Sequence, residues 1–396
     1  HSLSSGVCSL SPGEDRLAVT TEMVLSGSGE VTRVSFYRSR IRSDARLDYE
    51  QLDRIFLDRE QAPEPVAGPL ALAREAAAVL ADRRRGSSLE VNKAEPSFEF
   101  DGEGHVVRAV AETATEAHRL IEQLMVLTNE QVAELTSSRG IPSVYRVHEM
   151  PDPDRVERML AQLASLDLPA PPVPAGMGPT AAGEIAVEAS RSVSAEAARR
   201  GHGGEAYSSL ILRSLKPARY LEKNLGHAGL GSDAYCHFTS PIRRFPDLFV
   251  HRALLSAVGG GEEGPSTGEA AEAALHASER EREAMILERD ADDVCAAFLL
   301  ERELFEEGYE KRFEGEVSGV IRSGAFVRFG GRLGDVYEGF VPARRIRGER
   351  FELNEEETSL VGSKTGRKVS LGDEIAVNVE KIDAPAGRVD LDPSDG

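Results

Sequence analysis

The chain is 396 residues long, 40% hydrophobic and 29% charged, a balance that suits folded domains in water and excludes a low-complexity or collagen-like chain. Its formal charge of −20 excludes general attraction of a polyanion by the whole surface, so any nucleic-acid contact has to be local. No apolar run approaches the roughly 18 residues of a membrane helix and no signal peptide opens the chain, so no membrane partner is expected. The three cysteines, Cys8, Cys236 and Cys295, stand far apart without a CxxC pair. That spacing points away from a zinc site or a disulfide-linked partner and towards a reducing, cytoplasmic setting. Arginine far outnumbers lysine, and its planar fork suits phosphate oxygens and base faces.

Residues 1–13 read as a loop. Two runs rich in β-formers, 19–27 and 31–41, flank Ser-Gly-Ser-Gly and predict a hairpin. Residues 49–57 and 69–84 carry helical patterns, and short strands are expected at 89–91, 97–100 and 106–111. Residues 116–135 space Leu120, Ile121, Leu124 and Met125 for a buried helix. A strand at 143–148 and a helix at 152–166 precede a proline-rich connector, 166–178. Further helices end in a long amphipathic one, about 269–307, entered through a Gly- and Glu-rich loop at 259–268. From 309 to 391 strand patterns dominate, with turns at 323–324, 330–331 and 386–387. Five short strands over about 80 residues have the size of an OB barrel.

The densest stretch of candidate chemistry is GHAGLGSDAYCHFTSPIRRFPDLFVHR, residues 226–252. Ser240 followed by Pro241 reads as an N-cap and first helical residue. Ile242, Phe245, Leu248, Phe249 and Ala253 would then form an apolar stripe facing a core. Arg243 and Arg244 fall in the first turn of that helix, where the dipole disfavours cations unless an anion joins them. A bound phosphate is one reading; a simple pair of Arg243 with Asp247, four residues on, is the other.

HFTSPIRRFPDLFVHR, with the preceding LGHAGLGSDAYC, resembles the signature block of the ribonuclease II/ribonuclease R (RNB) family. ILRSLKPARYLEKN at 211–224, SVYRVHEMPDPDRV, ARLDYEQL, RLIEQLMVLTN and LSSGVCSLSPGEDRLAV are similar to other segments of that family in the same order. This resemblance covers about residues 1–307. FEGEVSGVIRSGAFVRF at 313–329, with EGFVPARRI, LGDEIAVNVEKID and GRVDL, resembles the ribosomal-protein-S-one-type OB domain. The fold class implied is an α+β RNB catalytic domain, 1–307, followed by an all-β OB-fold barrel, 308–396.

The resemblance also implies roles. Arg243 matches the family's catalytic arginine at the scissile phosphate, with Arg244 beside it on RNA. Glu288, in LERDADD, matches a glutamate that helps to hold magnesium. Tyr49 and Glu122 match residues that sense the ribose, although by pattern alone Tyr49 reads as a half-buried structural tyrosine and Glu122 as a solvated helix residue. Phe326, Asp383 and Arg388 match the RNA face of the barrel, where Phe326 could equally be core. Ser323 and Pro342 stand where that barrel family usually has an aromatic residue and a histidine, which shifts weight to Arg322 and Arg328. Asp290, Asp292 and Asp293 read as a solvated helix surface and Glu355–Glu357 as an exposed loop.

The family's metal-binding aspartate cluster is expected upstream of His1, so this chain alone is expected to bind RNA and barely hydrolyse it. Removing the barrel is expected to weaken capture of long strands without abolishing cleavage. The function implied is a processive 3′-to-5′ hydrolytic exoribonuclease that uses Mg2+, acts on single-stranded RNA and releases nucleoside 5′-monophosphates. The alternative is a non-catalytic RNB-type RNA-binding protein.

Overall fold

The computed structural model describes residues 2–394 apart from 87, 90–94, 113, 175, 332–333 and 347. Ser2–Val7 is a short helical segment broken at Gly6 rather than a loop. Beyond it β1 (Asp15–Leu25) and β2 (Val31–Arg42) form an antiparallel hairpin. Gly29 makes the reversal at φ +76°, a conformation that costs glycine least. Asp48 caps α1 (Tyr49–Phe56) by accepting from the Gln51 N–H, as short polar side chains do at helix starts. α2 (Glu64–Arg84) begins ahead of the expected start and takes Pro69 inside it. β3 (Glu95–Phe100) pairs with β4 (Val106–Glu112), and the strand expected at 89–91 lies largely outside the described residues. Thr115 caps α3 (Glu116–Ser138).

β5 (Tyr145–Val147) is followed by α4 (Pro153–Ser165), capped by Asp152, and by α5 (Pro179–Arg200) and α6 (Gly204–Ser214). β6 (Arg219–Leu221) returns to pair with β5. Then come α7 (Phe245–Ala257) and α8 (Thr267–Glu307). β7 (Arg312–Ile321), β8 (Gly324–Gly331) and β9 (Gly334–Pro342) open the barrel. β10 (Phe351–Leu353), β11 (Ser359–Gly362) and β12 (Lys368–Ser370) make a separate small sheet. β13 (Glu374–Asp383) and β14 (Arg388–Pro393) close the barrel in the order β13-β14-β9-β8-β7. Five strands do form the barrel, but the connection from β9 to β13 carries the extra sheet. Gly330 and Gly331 continue β8 instead of turning.

The chain divides into two compact units. His1–Ser88, Ala114–Glu149 and Pro217–Arg280 make the first; Leu89–Thr113, Met150–Lys216 and Glu281–Gly396 make the second. In the first, Val132 and Ala133 of α3 pack with Tyr145, Cys236, Phe238, Val250 and Leu254. In the second, Val156 and Leu163 of α4, Leu210 of α6 and Leu300 of α8 lie in one buried cluster with Phe313, Val317, Val327 and Leu371 of the β-rich part. Tyr207 of α6 shows how close that fit is. Gly203 and Gly372, both at positive φ, flank its ring, and a Cβ on either would overlap it. The Gly203 N–H donates to Glu316 Oε2 at 2.7 Å, and the Tyr337 hydroxyl donates to the buried Glu303 at 2.9 Å.

Candidate functional site

Residues 226–252 form loops that end in α7, and a single amide on α3 fixes them. Asn129 is 1% exposed. Its Nδ2 donates to the Tyr235 hydroxyl at 3.0 Å and its Oδ1 accepts from the Phe238 N–H at 3.0 Å. Its backbone carbonyl accepts from the Cys236 thiol at 3.3 Å. Sequence reasoning passed over Asn129. The signal was an amide closing the apolar run LMVL on a helix read as buried, where a polar group has to find partners. His251 of α7 adds a further grip: its Nε2 donates to the Phe238 carbonyl at 2.9 Å and its ring stacks on Phe238 at 4.0 Å.

The arginines follow, and the local structure departs from expectation. α7 starts at Phe245, with Arg244 as its N-cap and Pro246 in the first turn. Ser240 to Arg243 form a preceding turn, in which the Arg243 and Arg244 N–H groups both donate to the Ser240 carbonyl. The deciding group is Asp247, 0% exposed. Its Oδ1 accepts from the Ser240 N–H at 2.7 Å and the Arg244 guanidinium lies 2.8 Å away. A buried carboxylate has to be paired, so it draws in Ser240 and Arg244 and leaves Arg243 outside. The pair is thus Arg244–Asp247 and not Arg243–Asp247. Phe249 and Ala253 of the expected stripe are buried, whereas Ile242, Phe245 and Leu248 are exposed. The Arg243 guanidinium is exposed and makes no hydrogen bond or ion pair with the described residues.

Behind the turn lies a cluster of aromatic rings. The Tyr220 hydroxyl and His237 Nδ1 share a hydrogen bond at 2.8 Å, and His237, Tyr235, His227 and His148 meet edge to face in sequence. Burial, and then the charges of Arg244 and Arg146, lower the His237 pKa to about 3. Burial, and then His148 and Arg146, lower that of His227 to about 4. Both rings are therefore neutral at pH 7.

Tyr49 opens α1 and stacks on His118 of α3, with centroids 3.9 Å apart. Glu122 is exposed one helical turn beyond His118, on the same side of α3. The structure thus brings Tyr49 and Glu122 to one side of the α1–α3 pair through His118, which the sequence reading did not name. The Thr115 hydroxyl, 2.8 Å from His118 Nδ1, orients that ring.

Glu288 lies in the second unit, exposed on α8. No group of three or more His, Cys, Asp or Glu suited to a metal ion exists among the described residues. Glu288 with its neighbours therefore does not make a magnesium site. Asp290 and Asp293 are exposed and Asp292 is half-buried, as expected of a helix surface; Asp292 and Asp293 border a cleft with Arg289, Arg328 and Glu338, where partial desolvation raises the Asp293 pKa. Glu355–Glu357 occupy a turn, as expected.

On the barrel, Phe326 lies opposite Phe340, which lies opposite Asp390. Arg388 is two residues from Asp390 and directly opposite Asp383. Because side chains on a strand alternate between faces, all of these share the outer wall. Phe326 is 36% exposed and leans on Phe340, with centroids 5.1 Å apart. Arg322 is exposed, whereas Arg328 pairs with Glu205.

Compared with known families, residues 1–260 match the RNB domain and residues 308–392 match the S1 RNA binding domain. The chain belongs to the RNB family. It is 33% identical over 396 residues to Ribonuclease R of Aquifex aeolicus, covering 98% of this chain and 54% of that protein. It is 30% identical over 400 residues to Ribonuclease R 1 of Lactococcus lactis, covering 98% and 46%. The chain thus spans about half the length of the curated relatives it matches. Its fold superposes with a TM-score of 0.88 on Mycoplasma genitalium RNase R in complex with ribose methylated single-stranded RNA, at 24% identity over 99% of this chain and 60% of that one. On yeast Ssd1, a pseudonuclease, the TM-score is 0.58 at 17% identity over 90% and 42%. The expected order of an α+β RNB part and a closed five-stranded barrel is the one observed. No helix among the described residues is long and apolar enough to cross a membrane.

Proposed function

We propose that this chain is the RNA-handling part of a processive, cytoplasmic 3′-to-5′ exoribonuclease that hydrolyses single-stranded RNA to nucleoside 5′-monophosphates. In this reading residues 1–307 engage the reacting end and 308–396 capture the strand. The observation that carries it is the Arg243 turn: a guanidinium with no hydrogen-bond or ion-pair partner among the described residues, presented by a backbone pinned at Ser240, Arg244 and Asp247. A fork held ready for phosphate oxygens stabilises charge as it develops and needs no reorganisation at the moment of reaction. Arg244, engaged by Asp247, shapes the turn. Tyr49 and Glu122 offer a hydroxyl and a carboxylate to the 2′-hydroxyl, the group that separates RNA from DNA. Phe326 offers a base its ring face, and Arg388 a phosphate its charge, with Asp383 opposite Arg388 on the neighbouring strand and facing the same RNA. Magnesium belongs to the proposal through Glu288. The described residues form no complete site for it, and no role assigned above depends on the ion.

The test uses the complete encoded protein and a labelled, unstructured RNA. Arg243→Ala is expected to cut turnover by about 10²–10³, the usual loss for one such donor, while the dissociation constant changes only slightly. Near-normal turnover in the variant would remove Arg243 from the chemistry. If the unaltered protein binds RNA and releases no mononucleotides, the non-catalytic reading replaces the proposal.

A further inference from the structure

We propose that the face of the β1–β2 hairpin carrying Arg38, Arg40 and Arg42 binds the phosphate backbone of single-stranded RNA, as a strip separate from the Arg243 turn. The inference rests on RNA being the substrate. Arg38, Arg40 and Arg42 alternate along β2, so their side chains leave the strand on one side. The unbroken register sets Val19, Leu17 and Asp15 of β1 opposite them. Two residues of strand separate successive guanidinium groups by about 7 Å, a spacing on the scale of the phosphate repeat in an extended single strand. Val19 and Phe36, on the same face, pack against the core of the first unit. Arg38 borders that core, and Arg40 and Arg42, opposite Leu17 and Asp15, occupy the length of hairpin beyond Val19 and Phe36.

The charges on this face do not cancel. Asp15 is shared: its Oδ1 lies 2.7 Å from Arg42 Nε and its Oδ2 lies 3.5 Å from Arg40 Nε. Arg38 pairs with Glu262. One carboxylate between two guanidinium groups leaves one of them in surplus, in a chain whose formal charge is −20. Leu17, directly opposite Arg40, is 88% exposed, so no described residue covers the middle of the strip. A hairpin held by cross-strand pairing would set one acid against each arginine, since like charges on one face repel. A regular row of arginines fits a regular row of anions, and the guanidinium fork binds phosphate oxygens in pairs. An acidic peptide, whose charges are irregularly spaced, fits it less well.

The test measures binding of a labelled oligoadenylate to the chain by fluorescence anisotropy across a series of salt concentrations. Single-strand binding loses about 0.7 units of logarithmic salt slope for each phosphate contact removed. The Arg38→Gln/Arg40→Gln/Arg42→Gln variant is expected to lose about two units of slope while keeping its circular dichroism and melting temperature. Asp15→Asn frees Arg40 and Arg42, and it is expected to tighten binding several-fold and steepen the slope. In the complete protein the triple variant is expected to raise KM on long RNA and leave kcat unchanged. Should the unaltered chain bind RNA while the triple variant keeps its slope and Asp15→Asn binds no tighter, the strip is refuted and the proposed function stands. If the unaltered chain binds no RNA, both fall.

Discussion

His227, His237 and His251 lie close to the arginine turn without sharing its charge, and this gives the first unit a pH dependence of known sign. Burial is the leading cause in each case, holding all three below the ordinary 6.5, with His227 at about 4 and His237 at about 3. A group whose folded pKa is lowered takes its proton first in the unfolded chain. The stability it contributes is complete above pH 6.5 and is lost as pH falls towards the folded values. Acidification from pH 7 to pH 5 is therefore predicted to lower the melting temperature, at no more than about 1.4 kcal/mol per pH unit per site. His237→Gln keeps a hydrogen-bonding group for Tyr220 and removes the titration, so its melting temperatures at the two pH values should lie closer together. Equal pH shifts in both proteins would show that His237 plays no part. At this scale the sequence singles out Arg243 and Tyr49 only through the family motifs that carry them. It is silent about Asn129 and His118, whose roles exist only once distant segments meet, and it offers Asp247 to Arg243 where burial gives it to Ser240 and Arg244.

Helix capping decides where the Arg243 turn ends, and a tertiary contact overrode the local signal. Ser240–Pro241 and Arg244–Phe245–Pro246 both offer a helix start, and proline near the first turn favours either. Burial of Asp247 selects the second, because its carboxylate takes the Ser240 N–H and the Arg244 charge together. Asp247→Asn is predicted to cost about 3 kcal/mol, as for other buried ion pairs broken on one side. It should also lower turnover, although Asp247 is given no contact with RNA, because the turn no longer holds Arg243 in place. Urea unfolding and turnover on the same preparation check both parts; lost stability with full turnover would detach the turn from the chemistry. Elsewhere local chemistry was enough. Asp48, Thr115 and Asp152 cap helices near where the pattern placed them, and runs of β-formers broken by Gly-containing turns located the hairpin and the barrel. The small β10–β12 sheet escaped notice because three- and four-residue strands leave too short a pattern to count.

On the scale of the whole chain, the β-rich end and the helices α4, α5 and α6 are one body. Tyr207 fills a slot that only glycines can leave open, and Phe313, Val317 and Leu371 share a core with Val156, Leu163 and Leu300. Removing 308–396 therefore does more than take away an RNA-capture module. The shortened chain is predicted to melt at a markedly lower temperature and to bind a hydrophobic dye, because buried apolar side chains of α4, α6 and α8 would face water at about 25 cal/mol per Å². A cooperative, dye-free melt at the original temperature would show instead that the barrel is a separable domain. The sequence read as two consecutive domains because motifs follow chain order, whereas the core joins residues far apart.

The second unit is assembled from three separate stretches, Leu89–Thr113, Met150–Lys216 and Glu281–Gly396. A ribosome delivers these stretches in order and at finite speed. Leu163 emerges about 200 residues before Leu371, and at roughly 5–20 residues per second that is a wait on the order of 10–40 s. During that interval the apolar side chains of α4 and α6 lack the part of their cover that Phe313, Val317 and Leu371 supply. The nascent chain is thus a natural client for chaperones that shield hydrophobic helices. Its yield in a cell depends on that shelter during synthesis as well as on the stability of the finished fold.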